Sequence, residues 1–471
     1  MPTRSCEPAR KHDVQDSEQK RGEPLTRALL PITVVLASLL LSVSGNSLLG
    51  TLLSVRMAIE GFDRELIGPV LAFHSIGFVL GTMFCPPIVR RVGHIRSFAA
   101  FAAIACIAAL MHPLIVTTIS WALLRGVTGF CVAGLMMVME SWINDRTSND
   151  LRGSIMAFYM GTQYLGQGGG QFLLGFGDPD TTILFIISAA LVAASLVPLA
   201  LTRSRAPELE YHEPMGLRRL LRISPVGIVG ALVAGTVMSA FMAVGPVFAH
   251  EAGYGVRDIS VFMGVTVLMG MAMQAPVGFL AARLNRRTLV LMISTIALAL
   301  VAPLLMFAAD SFSALLISSS LFIGFVGSIY PLSVALTNDQ LDPHHVVNAS
   351  ATLLLALGAG TIIGPIGASI AMAAFPEEGL FLFLGAALSV MVIFALVRAV
   401  SVGAGKVRRR SRYMPGAPAP TTQVILEMDP SNPDFHPHVI TPEHERRRGP
   451  DRRQGHAPGG RRRTDAWDSN E

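Results

Sequence analysis

An arginine, a histidine and a glutamate stand inside stretches otherwise built from Leu, Ala, Val, Ile and Gly. Arg125 follows Trp121 by four residues, His74 sits within Leu71-Ala-Phe-His-Ser-Ile-Gly77, and Glu140 closes a run of Met and Val. A full charge in apolar surroundings is costly, so Arg125 must face a cavity, a partner or the end of its stretch. A cation held there attracts an anion or tunes a neighbouring proton. The reference pKa of a histidine side chain, about 6.5, makes His74 a candidate proton carrier. Gln163, Gln167 and Gln171 recur every four residues, which puts them on one side of a helix. With Asn46 and Gln274 they offer hydrogen bonds to a polar or zwitterionic solute. Each group also has a structural reading: Arg125 can snorkel to an interface, His74 can satisfy a local polar contact, and the glutamines can glue helices together. Glu140 lies fifteen residues beyond Arg125, about 22 Å along a helix, and cannot pair with it directly.

The elements that must position these groups are twelve apolar stretches, each near the roughly 20 residues that cross a bilayer. Hydrophobic residues make up 51% of the chain and charged residues 15%, too little polar surface for a soluble globule of 471 residues. The expected fold is an all-α membrane protein with 12 transmembrane helices in two six-helix pseudo-symmetric bundles. Residues 1–27 read as a cytoplasmic N-terminal segment, 28–201 as the first bundle and 202–224 as a cytoplasmic central loop. Residues 225–400 read as the second bundle, and 401–471, rich in Pro, Gly, Arg and His, as a disordered basic tail.

Orientation follows from the arginines. Loops on the N-terminal side carry thirteen of them, from Arg90 to Arg287, against Arg56, Arg64 and Arg257 on the other side. That bias places both termini in the cytoplasm of a bacterial inner membrane. The net charge of +5 therefore reports topology and anionic lipid headgroups, with no nucleic-acid partner. Cys6, Cys85, Cys106 and Cys131 form no Cys-x-x-Cys pair, and no disulfide, metal or cofactor is expected. Phosphate-binding and zinc-protease motifs are lacking, which argues against an enzyme and against ATP-driven transport.

The two halves repeat. Pro86 to Arg96 after the second stretch answers Gly278 to Arg287 after the eighth, an offset of 192 positions (278 against 86). Gly166 and its neighbours in the fifth stretch answer Gly364-Pro365 in the eleventh, an offset of 198 (364 against 166). Two motifs with nearly one offset predict two parallel six-helix repeats.

A six-plus-six membrane chain with an arginine-bearing loop after spans two and eight resembles the major facilitator superfamily of secondary transporters. The likeness covers about 28–400. Arg91, Gly93, Arg283, Arg286 and Arg287 match the family's loop signature, while Arg90 and Ala282 stand where it has an aspartate. Within the superfamily, Asn46, Arg125-Gly126, Glu140-Ser141, Arg152-Gly153 and Gly166-Gln167 look most like the YcaD-like group of bacterial permeases. The resemblance implies alternating access around a central cavity, and it implies for Arg125 a role in proton coupling or in meeting an anionic substrate.

On this reading the protein is a monomeric secondary transporter of a small-molecule organic solute, with protons as coupling ion. Asn46, His74, Arg125, Gln163, Gln167, Gln171 and Gln274 serve substrate and coupling. Arg91, Gly93, Glu140, Arg283 and Arg286 serve gating, with Glu140 facing Arg91 or Arg96. Gly166, Gly364 and Pro365 let helices pack and hinge. The second half, with Tyr330, Pro331, Asn338 and Asp339 in its tenth span, is expected to hold no buried acid. A transporter-like sensor signalling through the tail, and a drug or toxin efflux antiporter, stay open as alternatives.

Overall fold

The structure, a computed structural model, describes residues 25–147, 151–201, 215–401, 416 and 421–428. Among them every regular element is helical, as a chain in hydrocarbon requires when no water is available to satisfy backbone polar groups. The first half comprises α1 (Leu25–Ile59), α2 (Arg64–Val92), α3 (His94–Met111), α4 (Thr118–Arg146), α5 (Arg152–Leu173) and α6 (Ile183–Ala194, prolonged by Leu196–Ala200). The second comprises α7 (Pro225–Glu251), α8 (Val256–Arg283), α9 (Arg286–Ala299 with Val301–Phe307), α10 (Phe312–Val326 with Ile329–Asn338), α11 (Val346–Ala374) and α12 (Gly379–Ser401). Eleven of these are long and apolar enough to cross a membrane. The twelfth, α5, has 22 residues, about 33 Å of helix and so long enough to span. Its glutamines and glycines dilute its apolar character.

The packing repeats with the sequence. In the first half α1 pairs with α5 and α6, α2 with α4, and α3 with α4 and α6; in the second α7 pairs with α11 and α12, α8 with α10, and α9 with α10 and α12. Contacts between the halves obey the same exchange, since α2 meets α11, α5 meets α8 and α1 meets α7. The predicted two six-helix bundles are present. Large apolar side chains such as Ile107, Ile317 and Val390 are exposed on the outside, a liability in water and the natural boundary with lipid.

We call the side on which α1 starts and α12 ends the terminal face, and the opposite side the far face. Tight turns join the helices at both. Gly93, between α2 and α3, holds φ at +94°, a backbone region that residues with a Cβ rarely adopt. Asn285, at the matching turn, caps α9 by accepting from the Arg287 amide at 3.0 Å. In the expected central loop a short helix, Leu217–Ile223, is tied to α11 by Met215, whose amide donates to the Asn348 carbonyl at 3.0 Å; residues 202–214 lie outside the described residues. Within the tail, 421–428 enter a 3₁₀ turn, Gln423–Met428, where disorder was expected. The rest of the expected basic tail, 402–415, 417–420 and 429–471, lies outside the described residues.

Candidate functional site

Where the halves meet, a cavity of about 190 Å³ opens between α1, α2, α4, α5, α7 and α11. Asn46, Ser47 and Thr51 of α1, His74 and Ser75 of α2, Arg125 of α4, Gln167 and Gln171 of α5, and Ser239 of α7 line it. Met238, Met242 and Pro365 supply apolar wall. None of the described lining residues is acidic.

Arg125 is the only cation in this lining. It is 6% exposed, and its Nε and Nη1 are buried with no hydrogen-bond partner among the described residues. The helix geometry explains its place: seven residues into α4 from the far face, it is about 10 Å deep. His74 of the adjacent α2 lines the same cavity, and its Nδ1 is likewise buried with no hydrogen-bond partner among the described residues. The two helices approach closely here, because a Cβ on Gly129 would meet the His74 carbonyl at 2.0 Å.

The glutamine ladder divides. Gln171 is fixed at the cavity wall: its Oε1 accepts from the Thr51 hydroxyl and its Nε2 donates to Ser47 at 2.9 Å. Gln167 lines the cavity, and its Oε1 has no hydrogen-bond partner among the described residues. Gln163 does not line it; it is buried inside the first half, where its Nε2 donates to the Tyr159 hydroxyl at 3.0 Å. Gln274 is also outside the cavity and donates to the Tyr164 hydroxyl at 3.0 Å, linking α8 to α5. Sequence reasoning missed Ser47, Thr51, Ser75, Ser239 and Thr361, small hydroxyl residues that apolar stretches carry everywhere and that nothing in a single sequence marks.

The far face is shut over this cavity. The Gly68 amide of α2 donates to the Ser369 hydroxyl of α11 at 2.9 Å, and that hydroxyl donates to the Arg64 carbonyl. Arg64 also reaches Glu251 of α7 at 2.8 Å. A Cβ on Gly68 would lie 2.0 Å from the Pro365 carbonyl oxygen, so the glycine permits a contact that any other residue would force apart. Gly364 plays the matching part inside the second half against the Thr236 carbonyl, and Gly166 lets α5 approach Val43 of α1.

Toward the terminal face the cavity continues into a second hollow that shares His74, Ser75 and Thr361 with it. Phe78, Val79 and Thr82 of α2 and Leu354, Leu355 and Gly358 of α11 form the walls of this vestibule, and Thr421 and Gln423 of the tail lie across it.

Two clamps hold the turns of the terminal face, and they differ. In the second half Arg286 donates to Asp339 at 2.9 Å and to the Ala335 carbonyl at 2.8 Å, both side chains being 6% exposed. Asp339 is thus a buried acid, contrary to the expectation from sequence, because it gains a bidentate-capable cation that the turn after α8 delivers. By the offsets of 192 and 198, His94 and Ser141 occupy the same places in the first half, and they meet at 3.3 Å. Arg283 is exposed and lays its guanidinium 3.9 Å above the Phe279 ring. Arg91 and Arg96 are exposed, and the expected contact of Glu140 with them is replaced. Glu140 is 0% exposed, accepts from the Tyr159 hydroxyl at 2.5 Å, and accepts from the Thr422 amide at 3.1 Å and from the Thr422 hydroxyl. The substitution follows from position: Glu140 faces the bundle interior, while Ser141, one residue on, faces the turn.

Comparison with known proteins agrees with this architecture. The model of the Major Facilitator Superfamily matches residues 35–289 and 263–430. The chain is 27% identical over 372 residues to a protein of Escherichia coli O17:K52:H18 (strain UMN026 / ExPEC) described as "Uncharacterized MFS-type transporter YcaD", covering 78% of this chain and 95% of that one. Among solved structures, the nucleoside transporter NupG superposes with a TM-score of 0.64 at 17% identity, covering 79% of this chain and 98% of that one. A D-xylose-proton symporter superposes with a TM-score of 0.58 at 14% identity, covering 81% and 98%.

Proposed function

The chain belongs to the Major Facilitator Superfamily, and from that premise we propose that it carries a small organic anion across the membrane by alternating access, in company with a proton. Arg125 carries the reading. A buried guanidinium with unused donors, in a cavity whose described lining has no counter-charge, is stabilised when a carboxylate or similar group enters, and it penalises cations. Asn46, Gln167 and the Gln171 amide held by Ser47 and Thr51 then orient the rest of the solute. An engineered cavity of about 150 Å³ accepts benzene, so about 190 Å³ suits a solute of that order in this closed arrangement.

His74 shares the cavity with Arg125; the guanidinium disfavours a second positive charge there, and an entering anion lifts that penalty, which ties proton uptake to solute binding. A solute anion that travels with one proton moves no net charge, and an imidazole in the same cavity is the group able to take that proton up. The fold neighbours named above act on a nucleoside and on D-xylose, which supports solute transport as the activity and leaves the solute to the cavity's own chemistry. The arginine bias makes the terminal face cytoplasmic. The cavity lies within a single chain, which suits a working monomer, and the tail arginines suit anionic headgroups.

The test is a thermal-shift screen of purified protein against small carboxylates, neutral isosteres and amines. A ligand at about 100 times its Kd adds about 2.7 kcal/mol of stability. Carboxylates are expected to stabilise the wild type and to have no effect on Arg125→Leu, with hits then confirmed as proton-dependent uptake into proteoliposomes. Stabilisation by amines, or by carboxylates equally in both proteins, refutes the assignment.

A further inference from the structure

The tail turn at the terminal face makes contacts that solute binding does not call for. Thr422 gives Glu140 two hydrogen bonds, and the Ile425 amide lies against the same carboxyl. Val424 and Ile425 are buried, Ile425 to 2%, in the apolar core of the first half with residues of α4 and α5. On the other side Thr421 and Gln423 lie over Leu354, Leu355 and Gly358 of α11, and Gly416 rests against Pro331 of α10. One short segment therefore touches both halves at the point where α2 and α11 part.

A buried carboxyl needs donors. In the second half the clamp joins two opposite charges; in the first it joins His94 and Ser141, and Glu140, buried in the bundle interior, takes no part in it. Tyr159 supplies one donor and Thr422 the others. The match is specific: a hydroxyl residue, then two apolar residues two and three positions later, fit a carboxyl beside an apolar pocket.

We propose that residues 421–428 are a built-in cap that docks on Glu140 and closes the vestibule, holding the transporter in the arrangement shut at the far face. The route from the terminal face to Arg125 runs through the vestibule, since the two hollows share His74, Ser75 and Thr361. The cap lies across that route. Opening the far face requires the walls of the vestibule to come together, which removes the space that the cap fills. Docked cap and far-face opening therefore exclude one another, and each transport cycle begins with undocking. This inference uses the alternating access proposed above, but the docking itself is measurable without any solute.

The test uses the full chain in lipid nanodiscs, with Cys6, Cys85, Cys106 and Cys131 replaced by Ala and one reporter, Thr82→Cys, in the vestibule wall. Labelling by a charged maleimide is timed in the capped protein and after Ile425→Asp or Thr422→Val. Loss of a hydrogen bond to a charged group commands about tenfold or more, and labelling is expected to accelerate by about that factor. Added peptide of residues 416–428 should slow it again. Size-exclusion elution and far-ultraviolet circular dichroism check that the variants remain folded. Independently, the pair Gln423→Cys and Leu355→Cys should form a disulfide on mild oxidation in an otherwise unaltered protein. Unchanged Thr82→Cys labelling in folded variants, or no cross-link in the paired protein, overturns the cap. Either result leaves the anion reading standing, because neither measurement depends on a solute.

Discussion

Replacing Gly68 by Ala should open the far face. The added Cβ would lie 2.0 Å from the Pro365 carbonyl oxygen and 2.4 Å from the Ser369 Cβ, where an ordinary contact lies near 3.4 Å. Helices α2 and α11 must therefore part by about 1 Å or more at this level, and the Gly68 amide loses its short contact with Ser369. Overpacking of this kind costs about 1–3 kcal/mol. The whole of it falls on the far-face-closed arrangement, because in the open one the two helices have already separated. The equilibrium should move toward far-face opening by about 5- to 150-fold. Spin labels at Asp63→Cys and Glu377→Cys, on the exposed turns at either side of this contact, report it as a growing long-distance population in double electron–electron resonance. Gly68→Val should shift it further. Gly161→Ala, where an added Cβ meets nothing within 4 Å, should shift nothing. An unchanged distance distribution in folded Gly68→Ala would refute the view that this contact seals the cavity.

Three further outcomes follow from the clamps and turns. Asp339→Asn strands the buried Arg286 guanidinium and should cost about 3–5 kcal/mol, read as a lower melting temperature in detergent, while Arg286→Met with Asp339→Leu should recover most of it. Arg64→Gln removes a partly exposed bridge to Glu251 worth about 0.2–1 kcal/mol; it should weaken far-face closure by less than about fivefold, an effect that high salt abolishes. Gly93→Ala forces a Cβ into a positive-φ turn and should cost about 1–2 kcal/mol by chemical denaturation in mixed micelles.

Sequence carried the architecture because a bilayer imposes few solutions. Apolar length, arginine bias and two nearly equal offsets sufficed for the twelve helices and the two bundles; the Arg286–Asp339 clamp left no such mark, because its first-half counterparts, His94 and Ser141, carry no charge pair. The glutamine ladder shows where such reading stops. Each step of four residues advances about 40° around a helix, so Gln163 and Gln171 diverge by about 80°. That angle carries Gln163 from the cavity wall into the interior of the first half. The link between Glu140 and Thr422 spans 282 positions, and its signal in the chain is only the short run Val424-Ile425-Leu426 amid prolines.

The polar character of α5 has a consequence for biogenesis. A helix that exchanges leucine for glutamine and glycine along its length partitions weakly into lipid by itself, unlike α4 and α6 on either side of it. It should wait at the translocon until α6 emerges and then enter the bilayer as a hairpin, its glutamines already turned toward α1 and the growing first half. Truncated nascent chains ending after α5 should leave that segment accessible to water-soluble probes, and chains ending after α6 should protect it. The glutamines that this helix turns toward the cavity are thus among the residues that make its insertion depend on its neighbours.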